Sequence, residues 1–324
     1  MQVCVLGATG FIGGAVAREA VLRGWQVRAL RRRPGATGAL EDLASRIEWV
    51  PGSLEDDTAL QRAMRDCDVV FHTAGYYPAG YATMQEHLTC AAAQAQQVLR
   101  IFARSKARRL VYTSSLTTIG PPRHPPRLAD ERDLYPPGSE RTSPYYECKA
   151  LMEALVLGAA ANGLDTVAVN PTMTFGPGDV KAFTGRAVIL AARGMLLFSL
   201  PGQLNFTDVR DVAAGQLAAA RSLPTGERVI LGGHNLPVPQ AFRLLNSVAG
   251  RRPPLFTMPR SLVEGIGRLL FRLPVFALED HMTTLHRWQP LNTEKMATLL
   301  GIRPRPFQTT IADALAWYRE RDYL

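Results

Sequence analysis

Through the first half of the chain, short apolar runs alternate with longer stretches in which apolar residues recur at three- and four-residue spacing. The short runs predict strands at residues 3–6, 26–30, 47–50, 68–72, 109–114 and 166–170. The longer patterns predict helices starting near Phe11, Thr58, Tyr81 and Pro144. This alternation requires a parallel sheet with crossover helices, which places the chain in the α/β class with a doubly wound sheet. After Pro171 the texture changes to Gly- and Pro-rich loops broken by apolar helical runs, with one more strand-like stretch, ERVILGG, at 227–233 and a last helix at 309–320. The expected division is therefore a larger unit from 1–175 with 206–233, and a smaller, discontinuous one from 176–205 with 234–324.

Composition narrows the classes. The chain has 324 residues, 47% hydrophobic and 20% charged, a balance that packs a core and excludes disorder. Cys4, Cys67, Cys90 and Cys148 lie far apart without C-x-x-C spacing, so neither a disulfide framework nor a metal site is expected, and a cytoplasmic location without a secretory signal fits. The stretches AVILAARGMLLFSL and SLVEGIGRLLFRLPVFAL are too short or too interrupted by Arg193, Arg268, Arg272 and Pro274 to form a transmembrane segment of about 20 apolar residues. The net charge of +9 suits anionic partners. However, the clusters at 28–35 and 100–109 come with no nucleic-acid-binding signature, so nucleic acid is not an expected partner.

The stretch VCVLGATGFIGG joins the first predicted strand to the first predicted helix. In that setting Gly7 permits a tight turn, Gly10 admits a pyrophosphate close to the backbone, and Gly13 lets the helix pack closely on the strand. The free N–H groups of the new helix would face the phosphates. At the end of the second strand, where an acid would hold the ribose hydroxyls of NAD, the chain reads Arg31, Arg32 and Arg33. A guanidinium fork suits the additional phosphate of NADP, so NADP (NADPH) is the expected cofactor, through Arg32 first and Arg31 second, with NAD less favoured.

In SPYYECKALMEAL, Ser143 can cap a helix whose first position is Pro144, which sets Tyr145 and Lys149 one turn apart on one face. A free tyrosine titrates near about 10, and a neighbouring ammonium favours its phenolate, which brings proton transfer toward neutral pH. The strand ending RRLVYTSS delivers Ser114 and Ser115 to the sheet edge where ligands bind in open α/β folds. Without a G-x-S-x-G elbow or an evident His partner, Ser115 does not read as a hydrolase nucleophile.

Taken together, GATGFIG, DVVFHTAG, YTSS, Tyr145 with Lys149, NPTMTFGPGD, NFTDVRDVA and LLGIRPRP resemble the extended short-chain dehydrogenases/reductases over nearly the whole chain. The branch most similar holds dihydroflavonol reductases, cinnamoyl-CoA reductases and 3β-hydroxysteroid dehydrogenases. The resemblance implies a Rossmann-type doubly wound parallel sheet with a smaller discontinuous C-terminal substrate domain. It implies reversible reduction of a ketone or aldehyde without a metal, with Tyr145 as general acid or base, Lys149 on the nicotinamide ribose and Ser115 orienting the carbonyl. Beside Gly7, Gly10, Gly13, Arg31, Arg32 and Lys149, it implies cofactor contacts from Thr9, Phe11, Ile12, Ser53, Leu54, Thr73, Ala74, Gly75, Thr113, Pro171 and Thr172.

The chain departs from the family pattern in two places. It has Ser53 where an Asp commonly contacts adenine, and Leu88 and Thr89 where relatives often carry a Val-Asn pair. Tyr76, Tyr77, Tyr146, Met173 and Phe206 are candidates for a hydrophobic substrate site, and the apolar stretch EGIGRLLFRLPVFAL hints at a greasy pocket. Two alternatives stay open: a nucleotide-sugar epimerase or dehydratase with bound NAD, and a non-catalytic NADP-binding sensor. Relatives are often dimers through paired helices on the sheet, so a homodimer is a further expectation.

Overall fold

The computed structural model describes residues 1–78, 80, 82–140, 143–270 and 284–324, without the side chains of 267–270. Elements follow in the order β1 (Gln2–Leu6), α1 (Phe11–Leu22), β2 (Gln26–Arg31), β3 (Ile47–Pro51), α2 (Asp57–Met64), β4 (Val69–His72), α3 (Met84–Arg104), β5 (Arg109–Thr113), α4 (Pro144–Gly158) and β6 (Thr166–Pro171). Then come β7 (Met173–Phe175), α5 (Gly185–Ala192), β8 (Phe198–Ser199), β9 (Gln203–Asp208), α6 (Val209–Ser222), β10 (Arg228–Leu231), β11 (His234–Pro237), α7 (Val238–Val248), β12 (Phe256–Thr257) and α8 (Arg260–Leu270). Helices Glu294–Leu300 and Phe307–Glu320 close the chain.

Seven strands form one sheet in the order β3-β2-β1-β4-β5-β6-β10, and every pairing in it is parallel. Strand order reverses between β1 and β4, where the crevice above the carboxyl ends of the strands receives ligands in doubly wound folds. The strands are apolar on both faces because helices cover both sides, as in β1, whose residues from Val3 to Leu6 are fully buried. On one face Val16, Ala17 and Ala20 of α1 pack with Val212, Ala213 and Leu217 of α6; on the other, Val98 and Ile101 of α3 pack with Met152 and Val156 of α4.

A separate core gathers the later segments. The three-stranded sheet β11-β9-β7 packs with α5, α7 and the helix Phe307–Glu320 around Phe175, Phe206 and Phe307. β9 thus joins the small sheet rather than the large one.

Some predicted boundaries move for local reasons. The third helix begins at Met84, where Thr83 and Glu86 form a reciprocal capping box; Tyr81, the predicted start, lies outside the described residues. Ser143 does stand at the N-cap of α4, but its hydroxyl makes no capping bond, and Pro144 at the first position removes one of the N–H groups a cap would serve. Of EGIGRLLFRLPVFAL, residues 271–278 lie outside the described residues.

Candidate active site

The turn after β1 is shaped by close approach. Gly7 adopts φ +97°, a left-handed conformation that suits glycine. A Cβ on Gly13 would lie 2.2 Å from the Gly7 carbonyl oxygen and 2.4 Å from Thr73 Oγ1. Thr73 in turn donates its hydroxyl to the Leu6 carbonyl at 2.7 Å, tying the end of β4 to β1 at the point where strand order reverses. Gly10 is the N-cap of α1, with no capping side chain and no acid in the first turn, so this helix end presents N–H groups and its positive dipole end to an incoming anion.

Arg31 ends β2 and stacks its guanidinium over Trp49 at 5.1 Å, with a buried Nε that has no hydrogen-bond partner. Arg32 is exposed, Leu54 buried and Ser53 half-buried beside them. The uncapped helix end and the glycine cradle fit the pyrophosphate of a dinucleotide.

Lys149 and Tyr145 meet as their one-turn spacing predicts. The Lys149 ammonium lies 5.9 Å from the centre of the Tyr145 ring, 5.6 Å from that of Tyr112, and donates to the Thr113 carbonyl at 3.4 Å. Burial pushes the ammonium down to about 8, against a partial opposing pull from Glu153. Gly75 makes room for it: a Cβ there would stand 3.1 Å from Lys149 Nζ and 3.2 Å from Tyr112 Oη. Ser115, buried at the end of β5, accepts from the Thr117 N–H through Oγ at 3.2 Å, which leaves its own O–H able to donate.

The aromatic candidates separate. Tyr77, roughly half exposed, sets its ring 5.1 Å from Tyr145 and 6.2 Å from Phe183. Tyr146 is buried against Tyr135 and lines a cavity of about 110 Å³ with Leu116, Thr117, His286 and Arg287. Tyr76 is tied to His87 Nδ1 at 2.8 Å. Met173 packs against the second core and Phe206 fills it, because the pairing of β9 with β7 turns that ring onto Phe175 and Phe307. Thr113 donates to Gln216, Thr172 is buried, and Pro171 ends β6.

One polar network escaped the motif reading. Glu153, one turn beyond Lys149, forms a buried ion pair with Arg228 at 2.6 Å and accepts from Thr118 and Asn170. Asn170 Nδ2 also donates to the Ser115 carbonyl at 3.1 Å, so the network fixes the backbone that carries the serine. The i, i+4 spacing from Lys149 was a visible signal for Glu153; Arg228, 75 residues away in sequence, offered none. His72 and the Tyr112 hydroxyl, both buried without a hydrogen-bond partner, were also missed.

The NAD dependent epimerase/dehydratase family model matches residues 3–232, spanning the glycine turn, Ser115, Tyr145 and Lys149. The chain belongs to that family. This family membership makes it an NAD(P)-dependent enzyme of the extended short-chain dehydrogenase/reductase type. Among family relatives, it is 30% identical to sterol demethylase protein B of Methylococcus capsulatus over 99% of both chains. It is 29% identical to a 4-hydroxy-2-methyl-3-oxo-4-farnesyl-3,4-dihydroquinoline-1-oxide ketoreductase of Stigmatella aurantiaca, covering 97% of this chain and 96% of the other. A nucleoside-diphosphate-sugar epimerase from Pseudomonas aeruginosa has a solved structure that matches with a TM-score of 0.84 at 25% identity, over 100% of this chain and 99% of that one.

Proposed function

We propose that the protein is an NADP(H)-dependent reductase of a hydrophobic ketone or aldehyde. The observation that carries this reading is the buried Lys149 ammonium set against the Tyr145 ring, with Ser115 at the end of the adjacent strand. When bound, the nicotinamide supplies the hydride to the carbonyl carbon. Gly7, Gly10 and Gly13 with the start of α1 hold the pyrophosphate, and Arg31 and Arg32 hold the additional phosphate. Ser115 donates a hydrogen bond to the carbonyl oxygen, and Tyr145 gives that oxygen its proton as negative charge develops there. The adjacent ammonium stabilises the phenolate left behind, so ketone, NADPH and one proton become alcohol and NADP⁺.

A hydrophobic substrate is supported by the half-exposed Tyr77 and Phe183 rings beside Tyr145; the cavity at Tyr146 is mixed, with Leu116 and Ile119 beside Thr117, His286 and Arg287. The names of the sterol and farnesyl-quinoline relatives point the same way. The likeness to the Pseudomonas aeruginosa epimerase favours a second reading, a nucleotide-sugar epimerase with retained NAD, against which stand the arginines at the end of β2.

The test follows NADPH and NADH absorbance against ketosteroids, aromatic aldehydes and nucleotide sugars, with Tyr145→Phe beside the native protein. NADPH-selective carbonyl turnover, lost in Tyr145→Phe while cofactor binding persists, is the expected result. Interconversion of nucleotide sugars with no net cofactor consumption would replace this reading by the epimerase.

A further inference from the structure

A second surface, built by the later segments of the chain, has no part in the chemistry above. Strands β8 and β12 pair in parallel, setting Phe198 against Phe256 with ring centres 4.9 Å apart, and the Leu255 N–H donates to the Leu197 carbonyl. The side chains on this small platform face outward: Leu255 is 75% exposed, Met195 60%, Phe256 53%, Leu197 48% and Phe198 42%. Leu262, on the following helix α8, is 49% exposed. Clustered exposure of this kind marks an interaction site more often than scattered single residues do.

The segments that build the platform are basic in sequence. Residues 180–207 and 234–263 contain Lys181, Arg186, Arg193, Arg243, Arg251, Arg252 and Arg260 and not one acidic residue. All seven are exposed. Arg251 is held at the platform's edge, its Nε donating to the Ala192 carbonyl at 3.0 Å. The first acid after the second segment, Glu264, is paired with Arg260 at 2.7 Å.

We propose that this face docks on an anionic lipid bilayer, with the leucine, methionine and phenylalanine side chains entering the headgroup boundary and the arginines meeting lipid phosphates. Apolar residues rimmed by arginine are the composition of interfacial anchors. A nucleic acid would instead favour a polar, basic centre, whereas this centre is aliphatic and aromatic. A second copy meeting the same face across a two-fold axis would bring like-charged rims together. No helix among the described residues is long and apolar enough to cross a membrane, so the contact is superficial. The inference stands independently of the reaction proposed above.

The experiment is co-sedimentation of the full-length protein with vesicles of phosphatidylcholine alone and of phosphatidylcholine with about one third phosphatidylglycerol. Binding roughly tenfold or more stronger to the anionic vesicles, and weakened by salt, is expected. Arg251→Gln/Arg252→Gln should remove the preference, and Leu255→Ser/Phe256→Ser should lower binding to the anionic vesicles at high salt, each with unchanged thermal unfolding. Arg252→Gln alone serves if the double variant loses stability. Equal binding to both vesicle types, no binding, tighter capture of a DNA duplex than of anionic vesicles, or a concentration-dependent dimer abolished by Leu255→Ser/Phe256→Ser without vesicle binding would each overturn the proposal.

Discussion

The Lys149 ammonium lies 5.9 Å from the centre of the Tyr145 ring and 3.4 Å from the Thr113 carbonyl, in a buried site whose wall is the bare Cα of Gly75. In our proposal an ammonium placed there serves the phenol; its burial is costly to the fold.

That cost gives the first prediction. The folded protein holds Lys149 at about 8 against an ordinary 10.5, so between those values the unfolded chain binds the extra proton and stability from this group rises with pH. Below about pH 8 the penalty is present in full, on the order of 3 kcal/mol, and above about 10.5 it is gone. Lys149→Met should therefore abolish turnover while raising stability at pH 7 by about 1–3 kcal/mol, a gain that shrinks toward pH 10.5. Urea unfolding of both proteins across that range checks it; a Met variant less stable at pH 7 would contradict the account.

His72 gives a complementary pH signature at the acid side. Burial, with the Lys149 charge nearby, pushes the imidazole down to about 3 from an ordinary 6.5. Its contribution is constant above pH 6.5 and is lost as pH falls from 6.5 toward 3, because only the unfolded chain takes up the proton. At pH 5 the loss is about 2 kcal/mol. In His72→Phe, which keeps a ring against Tyr112, that portion of the acid destabilisation should disappear. Thermal melts at pH 7 and pH 5 would show the difference, and parallel curves for the two proteins would argue against it.

How much of this was legible follows the distance over which each relationship acts. The glycine turn and the Tyr145–Lys149 pair lie within one element junction or one helical turn, so spacing revealed them, as it did the strands buried on both faces. The Thr83–Glu86 capping box was equally local and would have placed the third helix correctly. Phe206 was misplaced because an aromatic's destination depends on which strand its own strand pairs with, and that choice is tertiary. Gly75 was expected only as a cofactor contact; that it also clears space for Lys149 depends on packing between β4, β5 and α4.

The Glu153–Arg228 pair is the clearest nonlocal feature and supplies the third prediction. Arg228 also donates to the carbonyls of Thr118, Glu131 and Asp133; its removal leaves the buried Glu153 charge uncompensated and takes one donor from each carbonyl, although the Thr118 and Asp133 carbonyls keep the Tyr135 and Gly120 N–H groups. Arg228→Met should cost about 3–5 kcal/mol. Adding Glu153→Gln removes the uncompensated charge, so the double variant should be more stable than Arg228→Met alone. A denaturation cycle over the four proteins measures this. Strict additivity would mean that the two side chains do not act as a pair.

The arginines after β2 carry the cofactor preference in our reading, and their surroundings let the two be told apart. Arg32 is exposed, so its only cost of removal should be a lost charge-assisted bond to the additional phosphate. Arg32→Ala is expected to weaken NADPH binding roughly tenfold while leaving NADH within about twofold. Arg31 is stacked on Trp49 and has a buried, unpartnered Nε, so Arg31→Ala should also disturb the wall of the site. If Arg31 grips phosphate, NADPH alone weakens; if it serves only the Trp49 face, both cofactors weaken together. Fluorescence titration of each variant with the two cofactors separates these outcomes. Equal NADPH and NADH affinities in the native protein, unchanged in both variants, would remove NADP selectivity from the proposal and leave the arginines as a basic turn.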